Sequence, residues 1–551
     1  TRLEDIAPDA LSSMVFISTV VANGVVYFPA TVSGDPYADE ELWMSDGTAG
    51  GASMIDINPG ANGSNPQSLV DANGTLFFLG FDGTSTKLFA IAPPPPGPQA
   101  DSSANFLSGS DADPINTFSG ELFTELITDL DLGGPMPLRF QRYYASFLRR
   151  SFIVGDLGSN WRHNFDARLF ISGNTAQYVS HKGRVTDFLK NLTTSDWEQQ
   201  SNLDTPYQLL KPAGQDAVLF DPLDDLIYSF DFTSSSVIIG RLVTVEDGHG
   251  NVHTVSYNLS NGQIQTVSDG LGRTLTFSYN ADTIPKIVIV TDGNNRSVNF
   301  EYTDPIDTEY LTQVTDVLGG STSYSYKDTS TNADHALMLS STRPETNIPF
   351  TQTFNTLGQV ATQIDASGNI FAFDYAGADT TITDPPGNVR THTHTATGEL
   401  STSKDTSGQD VVIGSDSTGR RNSITDRFGD ITTMSYHAAS GNLASRTNAD
   451  GTSSSFTYAA RTVNGLTLYD LSGVTHADGS TETLVYDAFG NLISRTDQLG
   501  NTSTLTYNGR GQVLTAINQL GGVVTNVYNS DKTLATSIDA AGNTTTFGYD
   551  L

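Results

Sequence analysis

The sequence contains no cysteine among its 551 residues. Disulfides, thiolate metal sites and a cysteine nucleophile are therefore excluded, and stability has to come from packing and backbone hydrogen bonds. Basic residues are scarce as well, because 28 Lys and Arg stand against 61 Asp and Glu, which gives a net charge of -33. Phosphate backbones and anionic membrane surfaces repel such a protein, so we expect no nucleic-acid partner.

Long apolar runs are absent too. No stretch approaches the roughly 18 apolar residues that a membrane-spanning helix needs, so we predict no membrane span. Only 16% of the residues are charged, and Ser, Thr, Gly and Asn supply much of the remaining polar surface, as in secreted or cell-surface β-proteins. The chain begins at Thr1 and stops at Leu551 inside a repeat, which we interpret as a processed or partial product. We expect a secreted, extracellular or cell-surface location.

A repeated frame organises residues 247–551. Most copies open with Asp or Asn, place Gly three positions later and close with Tyr ten positions after the start; the exceptions are His476 at one start, Asn295 at one Gly position, and His394 and Ser415 at two closing positions. The last three copies follow one another at a fixed step, and such self-similarity indicates units that pack against their neighbours. Five representative copies are Asp269-Gly272-Tyr279, Asp365-Gly368-Tyr375, Asp426-Gly429-Tyr436, Asp497-Gly500-Tyr507 and Asp539-Gly542-Tyr549.

The chemistry of this frame predicts hairpins. Asp or Asn accepts hydrogen bonds from backbone N–H groups two or three residues on, and Gly supplies the positive φ of a tight turn. The next six residues, for example 502–507, are rich in Thr, alternate in character and end on an aromatic ring, which is typical of a strand. A second turn, at Gly490 and Asn491 in one copy, reverses the chain again. The frame therefore predicts an all-β fold with one long antiparallel sheet.

Residues 1–91 contain a second, less regular repeat that differs from the one in residues 247–551. The segments 23–30 and 73–80 each place an apolar run after an Asn-Gly turn dipeptide. Between them, residues 41–60 resemble the ELW-x-SDGT repeat of large bacterial surface proteins, which implies a small β domain that is propeller-like or made of stacked hairpins. Trp43 is either a carbohydrate-stacking platform or a core residue of this domain, and we favour the core.

Two further segments follow this domain. Four consecutive prolines in residues 92–107 cannot join a sheet ladder, so we predict a semi-rigid linker there. Residues 108–173 resemble the module that opens the core of bacterial Rhs proteins, and the chain departs from its pattern at Ile115, Ser119, Asp156 and Asn160. The matching positions are Asp113, Pro114, Asn116, Gly120, Pro135, Pro137, Leu138, Arg142, Tyr144, Ser146, Gly155, Leu157, Gly158, Trp161, His163 and Leu169.

The repeats themselves are similar to the YD (Rhs) repeat of bacterial Rhs proteins, the Tc toxin BC component and the teneurins. This resemblance implies that the sheet spirals into a hollow barrel or cocoon and that the repeat tyrosines help to pack neighbouring turns of the spiral. We predict that the β-rich residues 174–246 continue the same sheet irregularly before the array at 247–551.

Several residues invite a chemical role. His163 stands three residues before Asp166, but without a nucleophile motif nearby we expect it to pack and hydrogen-bond. His392 and His394 share one strand face and could begin a metal site, although the sequence offers no third ligand. Residues 129–134 look like a calcium loop but lack its later ligands. We therefore predict no catalytic residue, no metal and no cofactor.

Two functions remain open. In the first, the chain is the non-enzymatic shell of an Rhs-like protein that encloses and delivers a C-terminal polymorphic toxin, which is not part of this chain. In the second, it is a structural or adhesive surface protein that assembles into filaments through its sheet edges. The expected partners are its own C-terminal domain or neighbouring copies, with cell-surface glycans or proteins as further candidates. A polysaccharide-degrading enzyme is the least favoured hypothesis.

Overall fold

The computed structural model describes most of the chain as β-structure. The described residues are 19–22, 25–31, 40–45, 52–55, 63–72, 75–81, 85–91, 107–232, 239–305, 307–327 and 336–549. They form strands β1 to β47 and one 3-10 turn at Arg149–Ser151, with no α-helix among them. The predicted linker lies outside the described residues except for Leu107.

Four small sheets precede the large one. The first has four strands and the second has three: β1 Val20–Ala22, β2 Val25–Thr31, β3 Glu40–Ser45 and β4 Ala52–Ile55, then β5 Gln67–Ala72, β6 Thr75–Phe81 and β7 Thr86–Ile91. The other two small sheets lie in the predicted opening module: β8 Ser110–Asp111 and β9 Ile115–Asn116, then β10 Ile127–Asp131, β11 Arg139–Tyr144 and β12 Trp161–His163. All of these pairings are antiparallel.

The remaining 35 strands form one sheet, hydrogen-bonded in chain order. They are β13 Arg168–Ser172, β14 Thr175–Val179, β15 Val185–Lys190, β16 Trp197–Gln199, β17 Gln208–Leu210, β18 Ala217–Asp221, β19 Leu226–Asp231, β20 Ile239–Glu246, β21 Val252–Tyr257, β22 Ile264–Ser268, β23 Thr274–Tyr279, β24 Ile287–Thr291, β25 Ser297–Glu301, β26 Gln313–Thr315, β27 Ser321–Tyr326, β28 Met338–Thr342, β29 Phe350–Phe354, β30 Val360–Asp365, β31 Ile370–Ala376, β32 Asp379–Thr383, β33 Val389–His394, β34 Leu400–Lys404, β35 Asp410–Ser415, β36 Arg421–Thr425, β37 Ile431–Tyr436, β38 Leu443–Thr447, β39 Ser453–Val463, β40 Leu466–Thr475, β41 Thr481–Tyr486, β42 Leu492–Thr496, β43 Thr502–Tyr507, β44 Val513–Ile517, β45 Val523–Tyr528, β46 Leu534–Ile538 and β47 Thr544–Thr546.

The large sheet coils until distant hairpins touch. The Asn251 side-chain amide donates to the Arg510 carbonyl oxygen at 3.1 Å, across 259 residues, and the Arg510 guanidinium donates to the Gly250 carbonyl oxygen at 3.0 Å. Gln208 on β17 likewise exchanges hydrogen bonds of 2.6 and 3.0 Å with the backbone of Thr467 on β40. These contacts join one turn of the coil to the next.

The coil stays open within the described residues. There, one pairing departs from chain order, between β13 and β20, and β47 pairs only with β46. The predicted spiral is therefore present, whereas closure into a barrel is not seen in this part of the chain. The right-handed twist of neighbouring strands accumulates over many strands and favours coiling, while closure would also require a matched register between first and last strands.

Aromatic packing joins the opening module to the first part of the array. The ring of Phe140 on β11 meets the rings of Phe277 and Phe300 edge-on, with centroids 5.7 Å away in both cases. All three side chains belong to one buried cluster that also contains many apolar residues of β13 to β32. Edge-to-face rings add to the apolar area that such packing buries. The face of the sheet that meets the module is called the inner face below.

The N-terminal sheets lie on the other side of the module. Val26 and Phe28 of β2 share a buried cluster with Tyr143 and Phe147, and Trp43 packs against this cluster. The indole nitrogen of Trp43 is itself buried, so its position agrees with the core interpretation. The predicted domain boundaries remain predictions, because the described N-terminal strands are packed onto the module and do not stand apart from it.

Candidate functional site at the junction of module and array

The hairpin tips share one hydrogen-bond pattern. Asp497 Oδ1 accepts from the backbone N–H groups of Leu499 and Asn501, each at 2.9 Å, and Gly500 has a φ of +81°. The second donor thus lies four residues on, not three as the sequence suggested. The same two bonds form at Asp269, Asp365, Asp426 and Asp539, with positive φ at Gly272, Gly368, Gly429 and Gly542.

The closing tyrosines bind backbone in the preceding hairpin. The hydroxyl groups of Tyr375, Tyr436, Tyr507 and Tyr549 each donate to the carbonyl oxygen 15 residues earlier, at 2.9, 2.5, 2.7 and 2.9 Å. The resemblance had implied packing between turns of the spiral, whereas this bond is local. Tyr279 differs, since its hydroxyl lies 3.2 Å from Asp156 Oδ2 in the opening module.

A buried ion pair holds the module to strand β27. Arg142 Nε donates to the Asp129 carboxylate at 2.8 and 3.0 Å, Nη1 donates to the Tyr324 hydroxyl at 2.5 Å, and the guanidinium carbon lies 5.0 Å from the centre of the Trp161 ring. Burial opposes charge on both partners and raises the pKa of Asp129. Burial is also the largest single effect on Arg142, but Asp129 and Tyr324 together outweigh it, so the pKa of Arg142 is raised. Losing one partner would leave an uncompensated buried charge.

Two more module residues bind the array directly. The Tyr144 hydroxyl donates to the Ala336 carbonyl oxygen at 2.8 Å and accepts from the Met338 N–H at 2.9 Å. Trp161 Nε1 donates to the Tyr326 hydroxyl at 2.9 Å. Both module side chains are fully buried, so these bonds satisfy groups that water cannot reach.

Three further motif residues of the module, Asp113, Pro114 and Gly158, make their contacts through the backbone. Gly158 has a φ of +86°, and a Cβ there would lie 2.2 Å from the Glu309 carbonyl oxygen. The Asp113 N–H donates to Gln363 Oε1, and Gln363 Nε2 donates back to the Asp113 carbonyl oxygen, both at 2.9 Å. The Pro114 carbonyl oxygen accepts from the Phe123 N–H at 3.3 Å. Gly158 and Asp113 thus meet the array, whereas Pro114 bonds within the module.

His163 is buried and neutral. Its Nδ1 accepts the Phe165 N–H at 3.2 Å, which places the imidazole proton on Nε2, 3.4 Å from Asp166 Oδ1. Burial lowers the pKa of His163 to about 4 even though Asp166 opposes that shift. The Phe140 ring lies 5.5 Å from the imidazole, so the packed and hydrogen-bonded arrangement expected from the sequence is present.

The carboxylates of Asp156 and Asp166 come close to His163, with ligand atoms within 4.8 Å of one another. A divalent cation would need the lone pair of His163 Nε2, but that nitrogen carries the proton because Phe165 occupies Nδ1. Arg168 Nη2 also lies 3.7 Å from Asp166 Oδ1. The donor set therefore does not suit a metal ion, despite its spacing.

His392 and His394 meet a hydroxyl group of the module. Thr117 Oγ1 lies 3.1 Å from His392 Nδ1 and 3.2 Å from His394 Nε2. Within the described ranges, no further His, Cys, Asp or Glu ligand accompanies this pair. The side chain that contacts both rings is that of Thr117. Sequence reasoning missed Thr117 because it lies 275 residues before His392.

Residues 129–134 do not form a calcium loop. Asp129 pairs with Arg142, and Asp131 Oδ2 pairs with Arg139 Nε at 2.7 Å. Asp131 Oδ1 accepts the Gly133 N–H at 2.7 Å. The carboxylates that would bind calcium thus already have partners, and the segment is the end of β10 followed by a turn.

Apolar side chains continue along the inner face after the module ends. Because side chains alternate along a strand, the residue two positions before each closing Tyr shares the face of that Tyr. In early copies this position is Phe277 or Phe300, buried on the module; in later copies it is half-exposed. These later residues are Met434, Phe456, Leu484 and Leu505. Part of the inner face therefore has no protein partner within the described structure.

No helix in the described part of the chain is both long and apolar enough to cross a bilayer.

Two family models match the sequence. Residues 112–188 match the domain of unknown function DUF6531, and residues 486–523 match the RHS Repeat. No curated protein matches the chain. The first match begins in the opening module and the second covers consecutive hairpins of the array.

Solved structures with similarity to this chain include Tc toxin assemblies. The Photorhabdus luminescens Tc holotoxin pore is 12% identical with a TM-score of 0.33, and the match covers 94% of this chain and 30% of that one. The TcdB2-TccC3 crystal structure is also 12% identical, with a TM-score of 0.34 and coverage of 95% and 35%. This chain spans about a third of the length of those structures. The RHS Repeat match at residues 486–523, together with the regular frame of Asx-Gly tips and closing tyrosines, shows that this chain contains Rhs repeats.

Proposed function

We propose that this chain is the non-enzymatic, shell-forming part of a secreted or cell-surface Rhs-like protein, which encloses and delivers a C-terminal polymorphic toxin. The observation that carries this proposal is the coil of 35 consecutive strands, whose inner face is covered by the module from β21 to β34 and is uncovered further along. Such a coil provides a concave surface at its centre.

The unfilled inner face supports a cargo role. Phe456 and Leu484 are half-exposed at the repeat position that Phe277 uses to pack on the module. Apolar side chains in such a row are stabilised when another polypeptide covers them. A cargo segment of the same protein would do so without the entropy cost of bringing two molecules together.

The side-chain chemistry of the described residues supports a non-enzymatic role. The His163 cluster is buried, its histidine is neutral, and the neighbouring Asp166 is engaged by His163 and Arg168. The low fraction of charged residues, 16%, with a surface rich in Ser, Thr, Gly and Asn, supports a location outside the cytoplasm. The proposed partners are accordingly the chain's own C-terminal domain and, at the surface, other proteins or glycans.

Protease protection of the complete gene product tests the proposal. We expect the proposed C-terminal toxin segment to resist protease while the shell is folded. Leu484→Glu on the inner face should weaken that protection, because it places a charge where apolar cargo would pack. Val485→Glu is the matched control, since Val485 is the next residue and lies on the opposite face, half-exposed. Equal protection in both variants, or rapid cleavage of that segment in the wild type, would contradict the proposal.

A second candidate function is a surface filament, and the exposed hairpin tips favour it. Leu318, Phe428, Leu499 and Leu520 occupy the third position of their tips and are between 86% and 96% exposed. The neighbouring edge strand β47 has one unpaired side in the described structure, and such edges can pair with another chain. Negative-stain images of the native protein distinguish the two functions: continuous fibres support the filament, and isolated particles support the shell.

A further inference from the structure

A cleft of about 750 Å³ lies where one turn of the coil passes the next. It is lined by residues from 107–118 of the opening module, by the loop 200–204 between β16 and β17, and by the hairpin tips 395–399 and 415–419 of the array. Small-molecule sites in proteins typically have volumes of about 300–1,000 Å³. Because the three parts of the chain meet only in the coiled sheet, no single repeat and no motif in the sequence indicates this cleft.

Two buried polar residues of the module line the cleft and keep unused hydrogen-bonding groups. Asn116 is 3% exposed, and its Oδ1 accepts from the N–H groups of Phe118 and Ser119, both at 2.9 Å. Its Nδ2 donates to no residue in the described structure. The hydroxyl of Ser108, a residue that is 1% exposed, likewise makes no hydrogen bond with the described residues. A buried donor without a partner is unfavourable, so a ligand that accepts from these groups would be stabilised.

One hairpin tip supplies an acceptor. Glu399 Oε2 accepts from the hydroxyl groups of Thr395 and Thr397, whereas Oε1 has no partner in the described part of the chain. A Cβ added to Gly419 would lie 3.2 Å from Glu399 Oε1 and 3.8 Å from the Cβ of Asp204. The absence of a side chain at Gly419 therefore leaves space for a ligand beside this oxygen.

Apolar side chains form another part of the lining. Leu203 is 46% exposed, and Phe118 and Ile413 are half-buried. The Phe118 ring packs on one side against His394, with ring centroids 5.4 Å apart. An ordered ring next to polar groups offers a surface on which the C–H groups of a ligand can pack.

The charges of the lining disfavour an anion. Asp204, Glu399 and Asp416 bring three carboxylates, and Arg184, the one cation among the described lining residues, donates to Asp204 at 3.1 Å. A phosphate or carboxylate ligand would be repelled by this set. A hydroxyl group, in contrast, can donate to a carboxylate and accept from an amide at the same time.

A peptide suits the cleft less well. Peptides commonly bind along an open strand edge, but the tips here already use their backbone groups. The Gly398 N–H donates to the Thr395 carbonyl oxygen at 3.1 Å, and the Gly419 N–H donates to the Asp416 carbonyl oxygen at 3.0 Å. Separate donors and acceptors beside an apolar surface match the hydroxyl groups and the C–H face of a sugar ring.

We propose that this cleft binds a neutral saccharide. Asn116 Nδ2 and the Ser108 hydroxyl donate to sugar oxygens, Glu399 Oε1 accepts from a sugar hydroxyl, and Phe118 and Leu203 contact the C–H face of the ring. The site rests on the proposed function in one respect, the surface location with glycans among the partners, and it is independent of the enclosed cargo.

Saturation-transfer difference NMR and calorimetric titration of the full chain test the site. The probes are tetrasaccharides of glucose, mannose and N-acetylglucosamine, with tetragalacturonate as the anionic comparison. We expect at least one neutral tetrasaccharide to bind with a Kd below about 1 mM, and tetragalacturonate to bind at least about tenfold more weakly. Binding by none of the neutral probes, or tighter binding of tetragalacturonate, overturns the proposal.

A pair of tryptophan variants locates the binding. Ser417→Trp fills the cleft from an exposed tip position and should abolish binding. Ala488→Trp is the matched control, because Ala488 is exposed at the same position of the tip that begins at Asp487 and does not line the cleft. Equal saccharide affinity in the two variants overturns the proposal.

Glu399→Gln tests the chemistry with little change in size. Its amide oxygen can still accept from Thr395 and Thr397, but the carboxylate oxygen that would accept from the sugar is gone, so affinity should fall about tenfold. An unchanged affinity, with a melting temperature like that of the wild type, contradicts the assigned contacts. Protease protection of the cargo, measured in the same proteins, separates the two proposals: protection without saccharide binding removes only this site, and saccharide binding without protection removes only the enclosure.

Discussion

The hydroxyl of Tyr507 donates a 2.7 Å hydrogen bond to the carbonyl oxygen of Leu492, 15 residues earlier. The Tyr507 side chain therefore stabilises the sheet in two ways. Its apolar ring packs on the inner face, and its hydroxyl satisfies a backbone acceptor in the preceding hairpin. We expect Tyr507→Phe to keep the ring packing and to lose the hydrogen bond, at a cost of about 0.5–1.5 kcal/mol in local stability. Hydrogen exchange in β42 and β43 measures this loss.

The control for this prediction is Tyr549→Phe. Tyr549 makes the same bond at 2.9 Å but is 55% exposed, so water can replace the lost donor and the effect should be smaller. An equal loss at both positions would mean that the hydroxyl bond does not depend on burial.

Glycine at the tips is required by the backbone. Gly500 has a φ of +81°, and no atom lies within 4 Å of a Cβ placed there. Gly500→Ala should therefore cost only the left-handed conformation, about 1–2 kcal/mol. Gly500→Asn should cost less, because Asn tolerates this region and Asn295 occupies the equivalent tip position with a φ of +63°. Thermal unfolding and local exchange of the hairpin report both changes.

Gly120 provides the matched comparison. Its φ is +72°, but an added Cβ would lie 2.5 Å from the Cβ of Gln359 in the array. Gly120→Ala combines the same backbone cost with a clash between module and array, so it should destabilise the protein more than Gly500→Ala. The reverse order would show that the module shifts easily at this position.

The Arg142–Asp129 pair predicts a non-additive result. Arg142→Met leaves the Asp129 carboxylate buried without its cation and should cost about 3–5 kcal/mol. The double variant Arg142→Met/Asp129→Leu removes both charges and should be more stable than the single variant. Chemical denaturation, followed by Trp fluorescence at the module, compares the three proteins. A double variant that is less stable than Arg142→Met would contradict this account.

Asp221 predicts a loss of stability as the pH rises from the unfolded pKa of about 3.9 to the folded pKa of about 7. Burial and the nearby Asp224 raise its pKa to about 7, and Tyr178 donates to its Oδ2 at 3.1 Å. Its folded pKa lies above the value of about 3.9 in an unfolded chain, so its contribution is full below that value and is lost as pH rises through 7. Asp221→Asn mimics the protonated form and should stabilise the protein by about 1–3 kcal/mol at pH 8.

Thermal unfolding at pH 8 and at pH 4 distinguishes this effect from a change in packing. The asparagine should raise the melting temperature at pH 8 and leave it nearly unchanged at pH 4. A similar shift at both values would show that ionisation of Asp221 is not the cause. Tyr178→Phe is a useful companion, because it removes the hydrogen-bond donor and leaves both carboxyl groups in place.

The sequence predicted the features that depend on neighbours along the chain. Turn chemistry at Asp497 and Gly500 and alternation in 502–507 led directly to the hairpins that the structure contains. It did not predict the contact between the hairpins of Asn251 and Arg510, because nothing near either residue in the sequence indicates a contact across 259 residues. The position of Thr117 between two histidines was missed for the same reason.

Other differences come from local geometry that composition does not encode. The Asx oxygen at each tip accepts from the residue four positions on, because the tip closes one residue later than a minimal turn. The hydroxyl groups of Tyr375, Tyr436, Tyr507 and Tyr549 bond within their own stretch of sheet, whereas that of Tyr279 reaches Asp156 of the module. The acidic loop at 129–134 looked like a cation site until the structure placed Arg142 and Arg139 against it.

The hydrogen-bonded contact between the hairpins of Asn251 and Arg510, here called the seam, also limits how this protein can change in evolution. Each hairpin adds two strands, or about 9.6 Å, to the circumference of the coil. Deleting one unit between these two residues would bring a different hairpin beside Asn251 and shorten the circumference of the coil by that amount, which corresponds to about 3 Å in diameter. The number of repeats in this stretch is therefore a measure of internal diameter, and duplication within it would enlarge the coil only if a new set of tips could form the seam.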